Sequence, residues 1–209
     1  ILDDGQTFIN GQIENDWELY SVPSRLTSIS AKYNYLLGRI PTGTDIVCVI
    51  EDDDLYLPDY VSKHVNSILY SGCEYSKPSR VLSDYTGKIN EEGAAGRFHS
   101  SIAFRSELIR RIGGWPDTKR ADFDQQLMNS LTKAANCTVD PWPTGSIPFV
   151  YRWHSGAAHC QSTMDRGPDD ETWWDRAEKA YAKVPFVGYI IPKMDDFTRQ
   201  TFKQLGYRL

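Results

Sequence analysis

Ile46-Val47-Cys48-Val49-Ile50-Glu51-Asp52-Asp53-Asp54-Leu55-Tyr56-Leu57-Pro58 sets an apolar, β-branched run directly ahead of four consecutive carboxylates. A run of that length, bounded by Asp45 and Glu51, predicts a strand buried on both faces, as in a parallel sheet covered by helices. The acids then fall at the carboxyl end of that strand, where open α/β sheets place their ligands. Strand alternation puts Glu51 and Asp53 on one face and Asp52 and Asp54 on the other, if the chain stays extended. Two unit charges about 4 Å apart repel by roughly 4 kcal/mol at an effective dielectric near 20, so the cluster calls for a positive partner. Oxygen ligands at close spacing suit a hard divalent ion, Mn2+ or Mg2+, better than zinc or copper. The competing reading is a solvated acidic turn ahead of the next helix, and the buried strand before the acids weighs against it.

Strand and helix patterns alternate on either side of this stretch. Ile29, Tyr33, Leu36, Leu37 and Ile40 recur at helical spacing, with Ser28 or Ser30 as cap and Pro41-Thr42-Gly43 as stop. A second helix is expected from Pro58 to Tyr70, with Val61, Val65, Ile68 and Leu69 inward and Ser71-Gly72 ending it. Strands are expected at Val81 to Tyr85, Ser101 to Arg105 and Phe149 to Trp153, and a mobile loop at Asn90 to Gly96. Ser106 caps a short helix closed by Gly113-Gly114, and another helix starts near Asp122 with Phe123, Leu127 and Leu131 on its apolar face. Residues 6 to 25 read as loop with a short strand at Trp17 to Tyr20, and a helix is expected at Asp170 to Ala182 before an aromatic-rich tail. Ile1-Leu2-Asp3-Asp4-Gly5 has the pattern of a strand end entering a turn, so either the opening strand is expected to be missing from this sequence or the fold starts later than usual.

Composition narrows the partners. A chain of 209 residues suffices for one domain with a substantial core, or one domain with an appended segment. A net charge of −5 offers no general attraction to phosphate backbones, which disfavours nucleic acid. No apolar stretch approaches the ~20 residues that span a bilayer, so a soluble, cytoplasmic protein is expected. Cys48, Cys73, Cys137 and Cys160 lie far apart, and four reduced thiols are the simplest reading, with two disulfides left open.

The order of motifs resembles a family 2 glycosyltransferase of the GT-A fold, over residues 1 to about 162. Asp3-Asp4-Gly5 resembles the family's D-D-G, whose acid contacts the nucleotide. Lys32-Tyr33-Asn34 is similar to R/K-x-N, near the diphosphate. Glu51-Asp52-Asp53-Asp54-Leu55-Tyr56-Leu57-Pro58 resembles D-x-D-D-x-x-x-P, the metal-binding signature. Phe104-Arg105-Ser106-Glu107-Leu108 through Gly113-Gly114-Trp115, then Ala121-Asp122-Phe123-Asp124, is similar to F-R-x-x-L-x-x-x-G-G-F followed by E-D-x-D. Glu51 stands where Asp is usual, Ala121 stands where Glu is frequent, and the opening strand with its P-x-Y-N turn is absent.

The resemblance implies a Rossmann-related, mostly parallel mixed sheet flanked by helices; beyond it, residues 161 to 209 are expected to form a C-terminal helical and aromatic extension packed on the same domain. It implies an inverting transferase that moves a sugar from a nucleotide diphosphate donor, a UDP-sugar in first place, to a saccharide or other hydroxyl acceptor. Glu51, Asp53, Asp54 and His154 are the expected ligands of Mn2+ or Mg2+, and Asp3, Asp4, Lys32, Asn34 and Asp52 the expected donor contacts. Asp122 is the expected general base with Asp124 as fallback, and Trp115 a stacking wall for the acceptor, although an aromatic after Gly-Gly is equally a core residue. Two other readings stay open: a non-catalytic nucleotide-sugar or glycan binder, and a metal-dependent phosphohydrolase.

Overall fold

The computed structural model describes residues 2–3, 13–14, 17–51, 53–84, 88–94, 96–120, 122–153 and 196–206. The chain divides into two compact units, one formed by Ile1–Arg25 with Val184–Leu209 and the other by Leu26–Lys183. In the first unit β1 (Leu2–Asp3) runs parallel to β4 (Tyr20–Ser21), and β2 (Ile13–Glu14) pairs antiparallel with β3 (Trp17–Glu18). The expected strand at Trp17 to Tyr20 is thus present as two short pieces. A helix at Asp196–Gln204 belongs to the same unit.

The second unit carries the acidic stretch. Its order is α1 (Ile29–Leu37), β5 (Ile46–Cys48), β6 (Leu55–Tyr56), α2 (Tyr60–Ser71), β7 (Tyr75–Ser76), β8 (Arg80–Ser83), β9 (Asn90–Gly93), a 3-10 turn (His99–Ser101), β10 (Ala103–Arg105), α3 (Ser106–Arg111), α4 (Phe123–Ala134), β11 (Thr138–Val139) and β12 (Phe149–Tyr151). One sheet has the order β11-β7-β10-β5 and the other β6-β12-β8-β9. The fold is a mixed α/β arrangement, as expected. Its pairings are more antiparallel than the expected mostly parallel sheet, because β10 runs against both of its neighbours, β5 and β7.

Local chemistry accounts for the helix ends. Ser28 caps α1, its Oγ accepting from the Ala31 N–H at 3.0 Å. Gly72 closes α2 in the left-handed conformation that favours glycine. Ser106 opens α3 without capping it; its hydroxyl donates to the Thr44 carbonyl and ties the β10–α3 corner to the approach of β5. One core gathers Tyr75, Ile102, Phe104, Leu108, Ile109, Leu127 and Leu131 between the first sheet and α3 and α4. A second gathers Tyr60, Val81, Trp142 and Phe149 on the other sheet. Each such large apolar side chain contributes on the order of 1.5–3 kcal/mol.

Four expectations are corrected. The run before the acids is not buried on both faces: Val49 is buried but Ile50 is 57% exposed, and among the described residues β5 pairs only with β10. On α2 the inward stripe is Tyr60, His64 and Ile68, while Val61 and Leu69 are 47% and 55% exposed. The large Tyr60 ring, packed against Trp142 and Phe149, sets that helix phase. Asn90–Gly93 is a strand and not a mobile loop, registered against β8 and joined to it by an Arg80–Glu91 ion pair at 3.0 Å and a Ser83–Glu92 hydrogen bond. Its polar edge character hides it from hydrophobic periodicity. Finally, Cys73 and Cys137 form a disulfide, with Cα atoms 4.9 Å apart, in place of two thiols, while Cys48 is unpaired. Disulfides persist in oxidising compartments, so this bond weighs against a reducing cytoplasm. Cys160 and the expected helix at 170 to 182 lie outside the described residues. No described helix is long and apolar enough to cross a membrane.

Candidate functional site

The acids occupy the passage between the sheets. Strand β5, the end strand of its sheet among the described residues, delivers the chain to Glu51, and β6, likewise the end strand of the second sheet, takes it up again at Leu55. Val49 extends the pairing beyond β5, its N–H donating to the Ile102 carbonyl at 3.0 Å. Asp53 and Asp54 lie in a turn, so strand alternation stops at Glu51. The expected split of the acids onto opposite faces therefore fails for Asp54, and Glu51, Asp53 and Asp54 form one group whose ligand atoms lie within 4.8 Å of one another.

Electrostatics make this group unstable as three bare carboxylates. At 4.8 Å and an effective dielectric near 20, each ionised pair repels by about 3 kcal/mol. Asp54 is 7% exposed, and burial, followed by the charges of Glu51 and Asp53, raises its carboxyl well above the usual range. The Ser100 hydroxyl on its Oδ2 and the Arg152 N–H on its Oδ1, at 2.9 Å, offset part of that rise. Hard oxygen donors in this number and proximity fit a divalent cation such as Mn2+ or Mg2+.

Side chains that the sequence did not single out hold the acids. Glu51 Oε1 accepts from the Tyr33 hydroxyl on α1 and lies 3.2 Å from His99 Nδ1, and the Glu51 N–H donates to the Tyr56 hydroxyl at 2.8 Å. Tyr60 donates to the carbonyls of Val49 and Ser100, at 3.0 and 2.9 Å, fastening the strand end to the 3-10 turn. That turn is entered through Phe98 at φ 62°, a left-handed conformation in a bulky residue that costs on the order of 1–3 kcal/mol. Packing of the Phe98 ring on Tyr151, with centroids 4.7 Å apart, holds it there. No periodicity marks His99. Its only sequence signal is a histidine beside Ser100-Ser101 immediately ahead of β10.

The expected site residues separate into groups. Glu51, Asp53 and Asp54 come together. Asn34 and Trp115 join the same neighbourhood in other roles. The Asn34 carboxamide donates to the Trp115 carbonyl at 2.9 Å and accepts from the Trp115 N–H at 2.8 Å. Gly114, at φ 87°, allows that approach, since a Cβ there would lie 2.5 Å from Asn34 Oδ1. Trp115 is 5% exposed and stacks on Tyr33 at 4.9 Å, so its expected place as an acceptor wall gives way to the alternative of a core residue. Lys32 is half-buried on α1, next to Tyr33. Asp3 lies on β1 of the other unit, while Asp4, Asp52 and His154 are outside the described residues.

The two aspartates at the start of α4 differ sharply. Asp122 is gripped by the Arg120 guanidinium through both oxygens, at 2.9 Å each, and accepts from Gln126 Nε2 at 2.9 Å. The Arg120 hydrogen bonds hold its carboxyl below the usual range. Asp124 is half-buried, and burial raises its carboxyl against the opposing influence of His99 and then of the Gln125 hydrogen bonds, with a smaller upward contribution from Glu51. A raised carboxylate near the acidic group is the better proton acceptor at neutral pH.

No known protein family matches the chain, and no curated protein does. Solved structures do. The chain is similar to S. aureus TarS residues 1–349 with a TM-score of 0.52 at 9% identity, over 65% of this chain and 43% of TarS. It is similar to the same protein in complex with UDP-GlcNAc, with a TM-score of 0.52 at 11% identity, over 68% of this chain and 45% of that one. The chain thus spans less than half of the TarS structures, and it shares their fold.

Proposed function

We propose that the protein is a nucleotide-sugar glycosyltransferase related to family 2, transferring a glycosyl group from a nucleotide diphosphate donor to an acceptor hydroxyl. The single observation that carries this reading is the convergence of Glu51, Asp53 and Asp54 at the exit of β5. It is supported by a fold shared with a protein that was solved with UDP-GlcNAc. Glu51, Asp53 and Asp54 would hold a divalent ion. Such an ion, when bound, supplies Lewis-acid neutralisation of the departing diphosphate.

The chain's own residues account for the remainder. A general base on the acceptor side takes the hydroxyl proton as that oxygen bonds to the anomeric carbon and the bond to the diphosphate breaks, with inversion. Of the two aspartates on α4, electrostatics favour Asp124, because Asp122 as base would first have to leave Arg120. Asn34 clamps the Trp115 backbone, and Trp115 stacks on the Tyr33 ring whose hydroxyl donates to Glu51.

Thermal unfolding with a panel of nucleotide diphosphate sugars, UDP-GlcNAc among them, with and without Mn2+, tests the reading. A donor at one hundred times its Kd stabilises the folded state by about 2.7 kcal/mol. The expected result is a rise in Tm that needs both donor and Mn2+ and disappears in Asp53→Ala. No rise with any donor in the presence of Mn2+ overturns the proposal.

A further inference from the structure

Resting on the metal reading above, we propose that His99 is a positioning residue for Glu51, held in its Nδ1–H form by the indole of Trp115. His99 is 4% exposed and makes a directed contact through each ring nitrogen. The Trp115 Nε1–H lies 2.9 Å from His99 Nε2. Indole nitrogen only donates, so Nε2 carries the lone pair and the ring's single proton sits on Nδ1. That proton faces Glu51 Oε1 at 3.2 Å. The geometry thereby fixes both the tautomer and the direction of the bond. A ring carrying its proton on Nε2 would present a donor to the indole and a lone pair to the carboxylate, losing both contacts.

Two separated segments converge on one carboxylate oxygen, and a third backs them. Tyr33, from α1, donates to the same Oε1. Trp115 is itself clamped by the two Asn34 hydrogen bonds and lies against Tyr33 at an interplanar angle of 9°. His99 meets Tyr33 and Phe123 edge-on, with centroids 4.9 and 5.8 Å away, so neighbouring rings pack against it. Outer partners of this kind orient a ligating side chain, and their loss typically lowers metal affinity about 10–100-fold.

Two measurements on the full chain test this. Ring-nitrogen NMR of the metal-free wild type should show His99 with a protonated Nδ1 and an unprotonated Nε2; the opposite tautomer overturns the proposal without any variant having to fold. Mn2+ affinity, read from the EPR signal of the free ion, should fall about 10–100-fold in His99→Phe and recover in part in His99→Asn, which restores a donor toward Glu51. Asp53→Ala is the control for the metal reading. If the wild type takes up no Mn2+, the metal reading falls and this inference falls with it. If the wild type binds Mn2+, Asp53→Ala does not, and His99→Phe binds as tightly as wild type, only this inference is overturned.

Discussion

Lowering the pH from 8 to 5 should destabilise the protein through His64 by an amount the structure allows to be worked out. His64 is fully buried on the inner face of α2, between the Tyr60 and Trp142 rings, with Nδ1 on the Ser76 hydroxyl at 2.8 Å. Its Nε2 meets no hydrogen-bond partner among the described residues. Burial lowers its pKa from 6.5 to about 3. The unfolded chain therefore binds a proton that the folded one refuses. Stability from this group is complete above pH 6.5 and is lost as the pH falls toward 3. At pH 5 the linkage amounts to about 2 kcal/mol relative to pH 8. Asp54 and Asp124, whose carboxyls are raised, act with the opposite sign: their folded forms bind the extra proton, and stability falls as pH rises through their window. Comparison with His64→Asn cancels their contribution, because both proteins keep these acids. Urea unfolding at pH 8 and pH 5 should show the wild type losing about 2 kcal/mol more than His64→Asn. Parallel losses would refute the reasoning, since His64 would then be taking up its proton without unfolding. The consequence reaches the site, because Tyr60, one helical turn before His64, fastens Val49 to Ser100.

Further predictions concern the site and its frame. Asp124→Asn should lower transfer by about 10²–10⁴-fold with donor affinity retained, and Asp122→Asn by much less, as read from kcat and donor binding separately. With Asp124 as base, the acid limb of the rate profile should lie above the ordinary carboxylate range; a limb below it would assign the role to Asp122. Gly114→Ala should cost about 1–3 kcal/mol from its positive φ alone, and more from the clash with Asn34. In urea unfolding, the double variant with Asn34→Ala should lose less than the two single losses combined. Reduction of Cys73–Cys137, which closes a loop of 64 residues, should destabilise the fold by about 4 kcal/mol, seen as a lower denaturation midpoint in reductant.

The acidic stretch was legible in the linear chain because its signal is local: apolar residues feeding a strand, then carboxylates at its end. Helix spacing likewise placed α1, α3 and α4, and Gly113-Gly114 marked the end of α3. Strand direction, edge position and helix phase were not legible, since each depends on the neighbour that arrives. Ile50 reads as core yet stands exposed, and among the described residues β10 is the one strand that pairs with β5. β9 reads as loop because its pairing is carried by backbone and polar cross-strand contacts. Asp122 and Asp124 are equivalent in type and two residues apart. Only the fold sets one against Arg120 and buries the other within the field of Glu51. Sequence by itself thus determined the α/β pattern and the charge concentrated at one strand end, both being properties of neighbours along the chain. Tertiary structure alone decided that Tyr33, His99 and Trp115, from three separate segments, would close around Glu51, because hydrogen-bond direction and ring packing exist only once those segments meet.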